Sequence, residues 1–128
     1  MIEVEGLTKY YGPVPAIIDV TFRVQKGEIV AFLGPNAAGK TTTMRILTGF
    51  MPATSGVAKI AGVDVYEDSI AARRHIGYMP ETTALYPDMR VYQYLRFCGR
   101  LHGMKRGDLD TRMEEVMDRC GLLERRDS

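Results

Sequence analysis

The alternation of hydrophobic and polar positions divides the chain into a strand-rich first part and a helical second part. Apolar and polar residues alternate over residues 2–7 and 17–24, which predicts two half-buried strands. The short apolar run at residues 28–33 predicts a buried strand, and the turn residues before it predict a hairpin with the preceding strand. Further strands are predicted at residues 57–60 and 76–79.

Helical periodicity is predicted in four places. Residues 43–48 predict a short helix that Gly49 ends, and residues 67–74 predict an exposed helix. Two longer helices are predicted from apolar stripes, the second of them ending at Gly121. The stripes consist of Val91, Tyr94, Leu95, Cys98 and Leu101 in the first helix, and of Leu109, Met113, Val116, Met117 and Cys120 in the second.

The last of these helices has more than one candidate start. Thr111 followed by Glu114 is typical of a capping box, in which each side chain bonds to a backbone N–H of the other residue. Asp108 and Asp110 are alternative capping residues, because a short carboxylate accepts well from the free N–H groups of a first turn.

Composition limits the classes of function. The chain has 128 residues, a net charge of +1 and 45% hydrophobic residues, which are ordinary values for a globular domain without a nucleic-acid partner. We recognise no signal peptide and no apolar stretch long enough to span a membrane. Cys98 and Cys120 are predicted to be buried free thiols. The change in periodicity near Met79 predicts two domains, residues 1–79 and 80–128.

The segment at residues 34–42 carries the strongest chemical signal. It matches the P-loop pattern G-x-x-x-x-G-K-[ST], in which main-chain N–H groups surround the phosphates of a nucleotide. Lys40 is expected to reach the β- and γ-phosphates, and the Thr41 hydroxyl is expected to ligate Mg²⁺. The predicted phosphate-binding residues are Gly34, Pro35, Asn36, Ala37, Ala38, Gly39, Lys40, Thr41 and Thr42.

Together with this loop, several short segments resemble the amino-terminal part of the ATP-binding subunit of an ABC transporter. In chain order they are residues 7–12, 27–29, 34–42, 47–49, 52–56, 76–81 and 85–89. The resemblance implies an incomplete α/β fold, with a P-loop NTPase core, an antiparallel β subdomain and the start of a helical subdomain. It also implies ATP and Mg²⁺ as cofactors, and a location on the cytoplasmic face of a membrane. The implied partners are a transmembrane transporter subunit and a second ATP-binding subunit arranged head to tail.

The resemblance assigns roles to two residues outside the loop. Tyr11 occupies the position whose aromatic ring stacks on adenine, and a tyrosine that packs at the end of a strand is the alternative. Glu81 occupies the Q-loop position, where the family usually has a glutamine that acts on Mg²⁺ and the attacking water. Glu81 and Lys40 are therefore the predicted catalytic residues, and Glu81 joins Thr41 as a predicted metal ligand. A solvated loop carboxylate is the alternative for Glu81, and the Pro-Glu variant resembles exporter-type members.

The sequence also departs from the family pattern. Ala37 stands where many members have glycine, and a left-handed backbone there would cost about 1–2 kcal/mol. The Walker B strand, the catalytic glutamate, the signature segment and the switch histidine have no counterpart in these residues. The resemblance therefore predicts the first part of a longer transporter ATPase that binds ATP but hydrolyses it poorly by itself. A soluble ABC-type ATPase acting on ribosomes or DNA and a non-catalytic nucleotide-binding module remain as alternatives.

Overall fold

Antiparallel pairing organises the first half of the chain. The computed structural model describes every residue, Met1–Ser128, and the chain folds as two units, Met1–Met79 and Pro80–Ser128. The elements of the first unit are β1 (Ile2–Tyr11), β2 (Val14–Val24), α1 (Lys40–Leu47), β3 (Ser55–Ile60), β4 (Val63–Asp64) and α2 (Ser69–Arg73). The four strands form one sheet in the order β2-β1-β3-β4, with every neighbouring pair antiparallel.

The core of the first unit forms where one face of this sheet packs against α1. Val4 and Leu7 of β1 are 1% exposed, and they pack with Ile17 of β2 and Ile46 of α1. Val4 and Leu7 are three residues apart, and an irregularity in the pairing of β1 with β2 between them brings both side chains into the same core. The strands predicted at residues 2–7 and 17–24 are confirmed, and both extend to the tight turn at Gly12, which has a φ of 57°.

Two predicted strands are wrong. Residues 28–33 and 76–79 form no strand, and β2 pairs with β1 instead of forming a hairpin with residues 28–33. A strand exists only where a neighbour completes its hydrogen bonds, and no other segment of the chain pairs with either run. Most of their apolar side chains are consequently open to solvent, with Leu33 89% exposed and Met79 87% exposed. Phe32 and Ile76 are half-buried, Phe32 with its ring centre 5.4 Å from that of Phe22.

The remaining elements of the first unit follow the sequence with small shifts. The strand predicted at residues 57–60 starts two residues earlier, and Gly56 lies within it at a φ of 89°. A Cβ at Gly56 would lie 2.3 Å from the carbonyl oxygen of Gly6, so only glycine allows the two strands to approach here. The helix predicted at residues 67–74 shortens to α2, and the Asp68 carboxylate caps it by accepting from Ala71 N–H at 3.0 Å.

The second unit is helical, as its periodicity predicted. It contains α3 (Val91–Leu101), α4 (Arg106–Arg119) and a 3₁₀ turn (Leu123–Arg125). Leu109, Met113 and Met117 of α4 form its buried core. Gly99 allows α3 to approach α4, because a Cβ there would lie 2.2 Å from Leu109 Cδ1. None of the helices in the chain combines the length and the apolarity needed to span a membrane.

The start predicted for α4 is wrong. The helix begins at Arg106, so all three candidate capping residues, Asp108, Asp110 and Thr111, lie inside it. The Thr111 hydroxyl donates instead to the carbonyl of Gly107 within the helix, at 3.4 Å. The prediction for the cysteines is also corrected. Both are free, but Cys98 is only half-buried and Cys120, at the end of α4, is exposed.

The polar carboxyl-terminal residues have a structural role at the start of α3. The first N–H groups of a helix have no partner within the helix. Here Val91 N–H donates to the carbonyl of Ser128 at 3.0 Å, and Tyr92 N–H donates to that of Arg126 at 3.2 Å. The guanidinium of Arg126 also lies 5.9 Å from the centre of the Tyr92 ring. Backbone from the end of the chain therefore caps α3.

Candidate nucleotide-binding site

The P-loop is a turn whose backbone enters the left-handed region twice. Ala37 has a φ of 65° and Gly39 has a φ of 85°. Between them, Ala38 N–H donates to the carbonyl of Pro35 at 3.2 Å, which closes the turn. Left-handed residues in a short turn allow successive N–H groups to converge on one side, the arrangement that binds anions.

The start of α1 adds donors to this turn. The first bond of the helix runs from Thr43 N–H to the carbonyl of Gly39 at 2.9 Å. The N–H groups of Lys40, Thr41 and Thr42 precede this bond and have no backbone acceptor. These donors and the positive end of the helix dipole favour a negatively charged ligand at this point.

Lys40 is folded back over the loop that precedes it. Its ammonium donates to the carbonyl of Gly34 and, at 2.6 Å, to the carbonyl of Pro35. A Cβ at Gly34 would lie 3.3 Å from Ala38 Cβ and 3.9 Å from Lys40 Nζ. The absence of a side chain at Gly34 therefore lets the loop close tightly on Ala38, while the lysine places a positive charge beside the donors of the loop.

Two threonines of α1, Thr43 and Thr41, differ in their surroundings. Thr43 is fully buried, and its hydroxyl donates to the carbonyl of Gly39 at 2.9 Å, which ties the helix to the loop. Thr41 is exposed at the first turn, where its hydroxyl is accessible to a metal ion. Mg²⁺ in nucleotide sites takes few protein ligands and completes its shell with phosphate oxygens and water. The amides, the ammonium and this hydroxyl therefore fit a magnesium–nucleotide.

The strand β2 packs against the P-loop at Gly39. A Cβ at Gly39 would lie 2.1 Å from Ile17 Cγ2 and 2.7 Å from the carbonyl oxygen of Ala16, so only glycine permits this contact. Two residues before Ala16, Val14 pairs with Tyr11 at the end of β1. The hairpin that carries Tyr11 is thus the same hairpin that packs against the P-loop. The alternation of apolar and polar residues predicted the strand at Ile17, but no pattern in the sequence indicated the contact with Gly39.

Tyr11 is held by two contacts and remains partly exposed. The residue is 47% exposed, and its hydroxyl donates to Met51 Sδ at 3.2 Å. The ammonium of Lys9 lies over the ring, 5.7 Å from its centre. The neighbouring Tyr10 is used differently, since its backbone N–H donates to Thr54 Oγ1 at 2.9 Å.

Glu81 belongs to a different unit of the chain from the residues described above. It lies in an exposed loop of the second unit, whereas Lys40, Thr41 and Tyr11 belong to the first. No group of three or more histidine, cysteine, aspartate or glutamate side chains is placed to hold a metal ion. An open groove of 810 Å³ also lies in the first unit, lined mainly by residues 49–58 and 64–69, but no P-loop residue borders it.

The sequence of this chain matches a known protein family. The sequence profile described as ABC transporter matches residues 17–128. The chain is 34% identical over 125 residues to the linearmycin resistance ATP-binding protein LnrL of Bacillus subtilis, covering 98% of this chain and 40% of LnrL. It is 38% identical over 122 residues to the probable multidrug ABC transporter ATP-binding protein YbhF of Escherichia coli, covering 95% of this chain and 21% of YbhF.

A solved structure supports the same assignment. The chain superposes on an ATP-binding subunit of an ABC transporter with a TM-score of 0.89 and 31% identity, over all of this chain and 53% of the other. This likeness confirms the predicted fold class, a mixed α/β P-loop fold with an antiparallel β part and a helical part. The chain spans about half of that structure and less than half of the two curated relatives. Profile, relatives and fold agree, and the chain belongs to the ABC transporter family, in which it matches the ATP-binding proteins.

Proposed function

We propose that this chain binds Mg-ATP through residues 34–42, as the nucleotide-binding part of an ATPase that drives transport across a membrane. One observation carries the proposal. The N–H groups that precede the first bond of α1 and the ammonium of Lys40 lie around one short turn. Only a ligand with several closely spaced anionic oxygens uses all of these donors, and the triphosphate of a nucleotide is such a ligand.

The individual roles follow from the chemistry of each group. Lys40 neutralises the β- and γ-phosphates, Thr41 offers its hydroxyl to Mg²⁺, and Tyr11 offers its open ring face to the base. Glu81 is proposed as a second oxygen ligand of Mg²⁺ and as the residue that orients the attacking water. Bound Mg²⁺ would supply charge neutralisation at the phosphate oxygens.

The partners and the location are proposed from the family. The relatives LnrL and YbhF are described as a resistance protein and a probable multidrug transporter protein, which supports export as the direction of transport. We propose a transmembrane subunit and a second ATP-binding subunit, arranged head to tail, as partners at the cytoplasmic face of the membrane. Affinity capture of the tagged chain tests this, because recovery of ribosomes or DNA without a polytopic membrane protein would contradict it.

Calorimetry tests the binding site itself. Wild type titrated with Mg-ATP is expected to bind, and Lys40→Ala is expected to bind about tenfold more weakly or worse, because a charge-assisted hydrogen bond is lost. Lys26→Ala, which removes an exposed lysine from the turn before residue 28, is the matched control and should bind as wild type does. Equal affinity of the Lys40 and Lys26 variants, or no binding by folded wild type, would reject the proposal.

Phosphate release tests the catalytic part of the proposal. Turnover by this chain is expected to be slow, since the sequence holds no Walker B carboxylate to position the attacking water. Rapid turnover that disappears in Lys40→Ala would show that the residues present suffice for catalysis.

A further inference from the structure

We infer that Lys9 and Met51 hold the ring of Tyr11 ready for a purine base, which makes Lys9 a positioning residue of the nucleotide site. The inference rests on the proposed function, because it concerns the base subsite beside the proposed phosphate site. Neither residue belongs to the P-loop, and neither was a predicted site residue. What singles them out is that each makes a specific contact with Tyr11.

Lys9 is itself fixed in place. Its ammonium donates to the carbonyl of Pro52 at 2.7 Å while it lies over the Tyr11 ring, 5.7 Å from the ring centre. A long lysine side chain on an exposed strand end normally samples many rotamers. The bond to Pro52 selects one of these rotamers, and in it the positive charge covers one face of the aromatic ring.

Met51 fixes the other end of the ring. The Tyr11 hydroxyl donates to Met51 Sδ at 3.2 Å, so the ring is held at its hydroxyl as well as at its face. A thioether is a weak acceptor, but its polarisable sulfur also favours contact with an aromatic edge. With these two contacts in place, Tyr11 is still 47% exposed. The open part is available to a flat ligand.

Met51 and the Pro52 carbonyl that holds Lys9 both lie in the segment that follows α1, the helix that begins at the P-loop. Gly49 ends this helix at a φ of 76°, and Phe50 N–H donates back to the carbonyl of Arg45 at 2.8 Å. This helix end fixes the path into Met51 and Pro52. One helix therefore starts with the donors for the phosphates and leads directly to the groups that hold the ring for the base.

The arrangement predicts which ligands benefit. Stacking on an aromatic face uses the π surface of a base and needs no hydrogen bond to its edge. A ring held in place beforehand loses less conformational entropy when a base binds. The contacts of Lys9 and Met51 with Tyr11 should therefore strengthen the binding of both ATP and GTP. They should not affect the binding of inorganic tripolyphosphate, which has no base.

Calorimetry on the whole chain with Mg-ATP and Mg-tripolyphosphate tests this inference. Lys9→Met removes the ammonium but keeps a long apolar side chain, and it is expected to weaken ATP binding about two- to fivefold, the range of an exposed cation–π contact. Tripolyphosphate binding should not change. Lys9→Arg should bind ATP about as tightly as wild type does, because a guanidinium also stacks favourably on an aromatic ring. Lys59→Met, on an exposed position of β3, is the matched control.

A double-mutant cycle shows whether Lys9 acts through Tyr11. In a Tyr11→Ala background, Lys9→Met should have no further effect on ATP affinity. Additive losses, an equal loss for ATP and tripolyphosphate, or no loss at all would each overturn the inference. If circular dichroism shows that Lys9→Met is unfolded, Met51→Leu replaces it. That variant is expected to cause a smaller loss confined to ATP, and unchanged ATP binding would again overturn the inference.

The outcomes separate this inference from the proposed function. If folded wild type binds neither ATP nor tripolyphosphate, the proposed function fails. If wild type binds both ligands in a manner that depends on Lys40, but Lys9→Met binds ATP as well as wild type does, only the inference about Lys9 fails.

Discussion

The strand β1 and the segment at residues 28–33 have a similar apolar character, but β1 is part of a sheet with a buried face and most of residues 28–33 are exposed. Leu7 in β1 is 1% exposed, whereas Leu33 is 89% exposed. The difference lies in their neighbours, because β1 is paired with β2 on one edge and with β3 on the other. The segment at residues 28–33 has no paired neighbour in this chain.

This comparison separates two properties that an apolar pattern combines. A run of apolar residues shows which side chains gain free energy when water is removed from them. It does not supply the surface that removes the water. In β1 that surface is the sheet and α1, and it lies within the same chain. Residues 28–33 instead leave an apolar stretch exposed directly before the P-loop, the kind of surface that favours association.

The largest predicted effect tests this difference with the same substitution at both places. Leu7→Ala should lower the free energy of unfolding by about 3–5 kcal/mol, because it opens a cavity in a closed core. Leu33→Ala should change it by less than about 0.5 kcal/mol, since the side chain has little contact to lose. Urea denaturation followed by circular dichroism measures both. Equal losses at the two positions would mean that residues 28–33 are packed in solution, and the comparison would not hold.

The same reasoning explains what could be predicted from the sequence. The strands β1 and β2 were predicted because they pair with each other through one hairpin. The helices α1, α3 and α4 were predicted because a helix makes its backbone hydrogen bonds within its own segment. The strand predictions at residues 28–33 and 76–79 were wrong because strand formation depends on a neighbour, which a local pattern does not report. The start of α4 was misplaced because Thr111 has a capping pattern but bonds within the helix.

The candidate site divides in a similar way. The phosphate-binding loop could be predicted because its function requires glycine, lysine and threonine at fixed spacing along one segment. The contacts of Gly39 with Ile17, and of Tyr11 with Lys9 and Met51, join residues that are distant in the sequence. No spacing rule links them, so only the fold reveals them. Ala37 lies between these two cases. Its place in the motif indicated where a left-handed backbone would matter, and the fold shows that its φ is 65°.

The next effect concerns the contact that joins the paired sheet to the loop after the exposed segment. Gly39→Ala should destabilise the chain by about 2–3 kcal/mol and abolish nucleotide binding, because its Cβ would overlap Ile17 and Ala16. Gly12→Ala is the matched control. It has a similar left-handed φ of 57° but nothing within 4 Å of its Cβ, so it should lose only about 1 kcal/mol. Equal losses would show that backbone strain alone, and not the sheet contact, is responsible.

A smaller effect of opposite sign is expected within the loop itself. Ala37→Gly should raise the free energy of unfolding by about 0.5–1 kcal/mol, because relief of the left-handed strain exceeds the added freedom of the unfolded chain. Ala38→Gly, next to it and outside the left-handed region, should lower the free energy by about 0.4–1 kcal/mol, since it adds freedom without relieving strain. Thermal unfolding of the three chains gives the order directly. A loss in both variants would show that the loop does not hold its left-handed conformation in solution.

The smallest effect extends the comparison to exposed polar groups, which find partners where the exposed apolar groups of residues 28–33 do not. On α4 the Arg112 guanidinium donates to the Glu115 carboxylate at 2.6 Å, and it lowers the pKa of Glu115 below its usual value. Because the folded pKa is the lower one, the pair stabilises the chain above the pKa of the unfolded glutamate. That stability is lost as the pH falls through the folded pKa. Wild type should therefore lose slightly more stability than Glu115→Gln between about pH 5 and pH 3, and the difference should shrink in high salt. Identical acid profiles in urea titrations would mean that the pair does not hold in solution, and that exposed charges on this helix are as unpartnered as the exposed leucine before the P-loop.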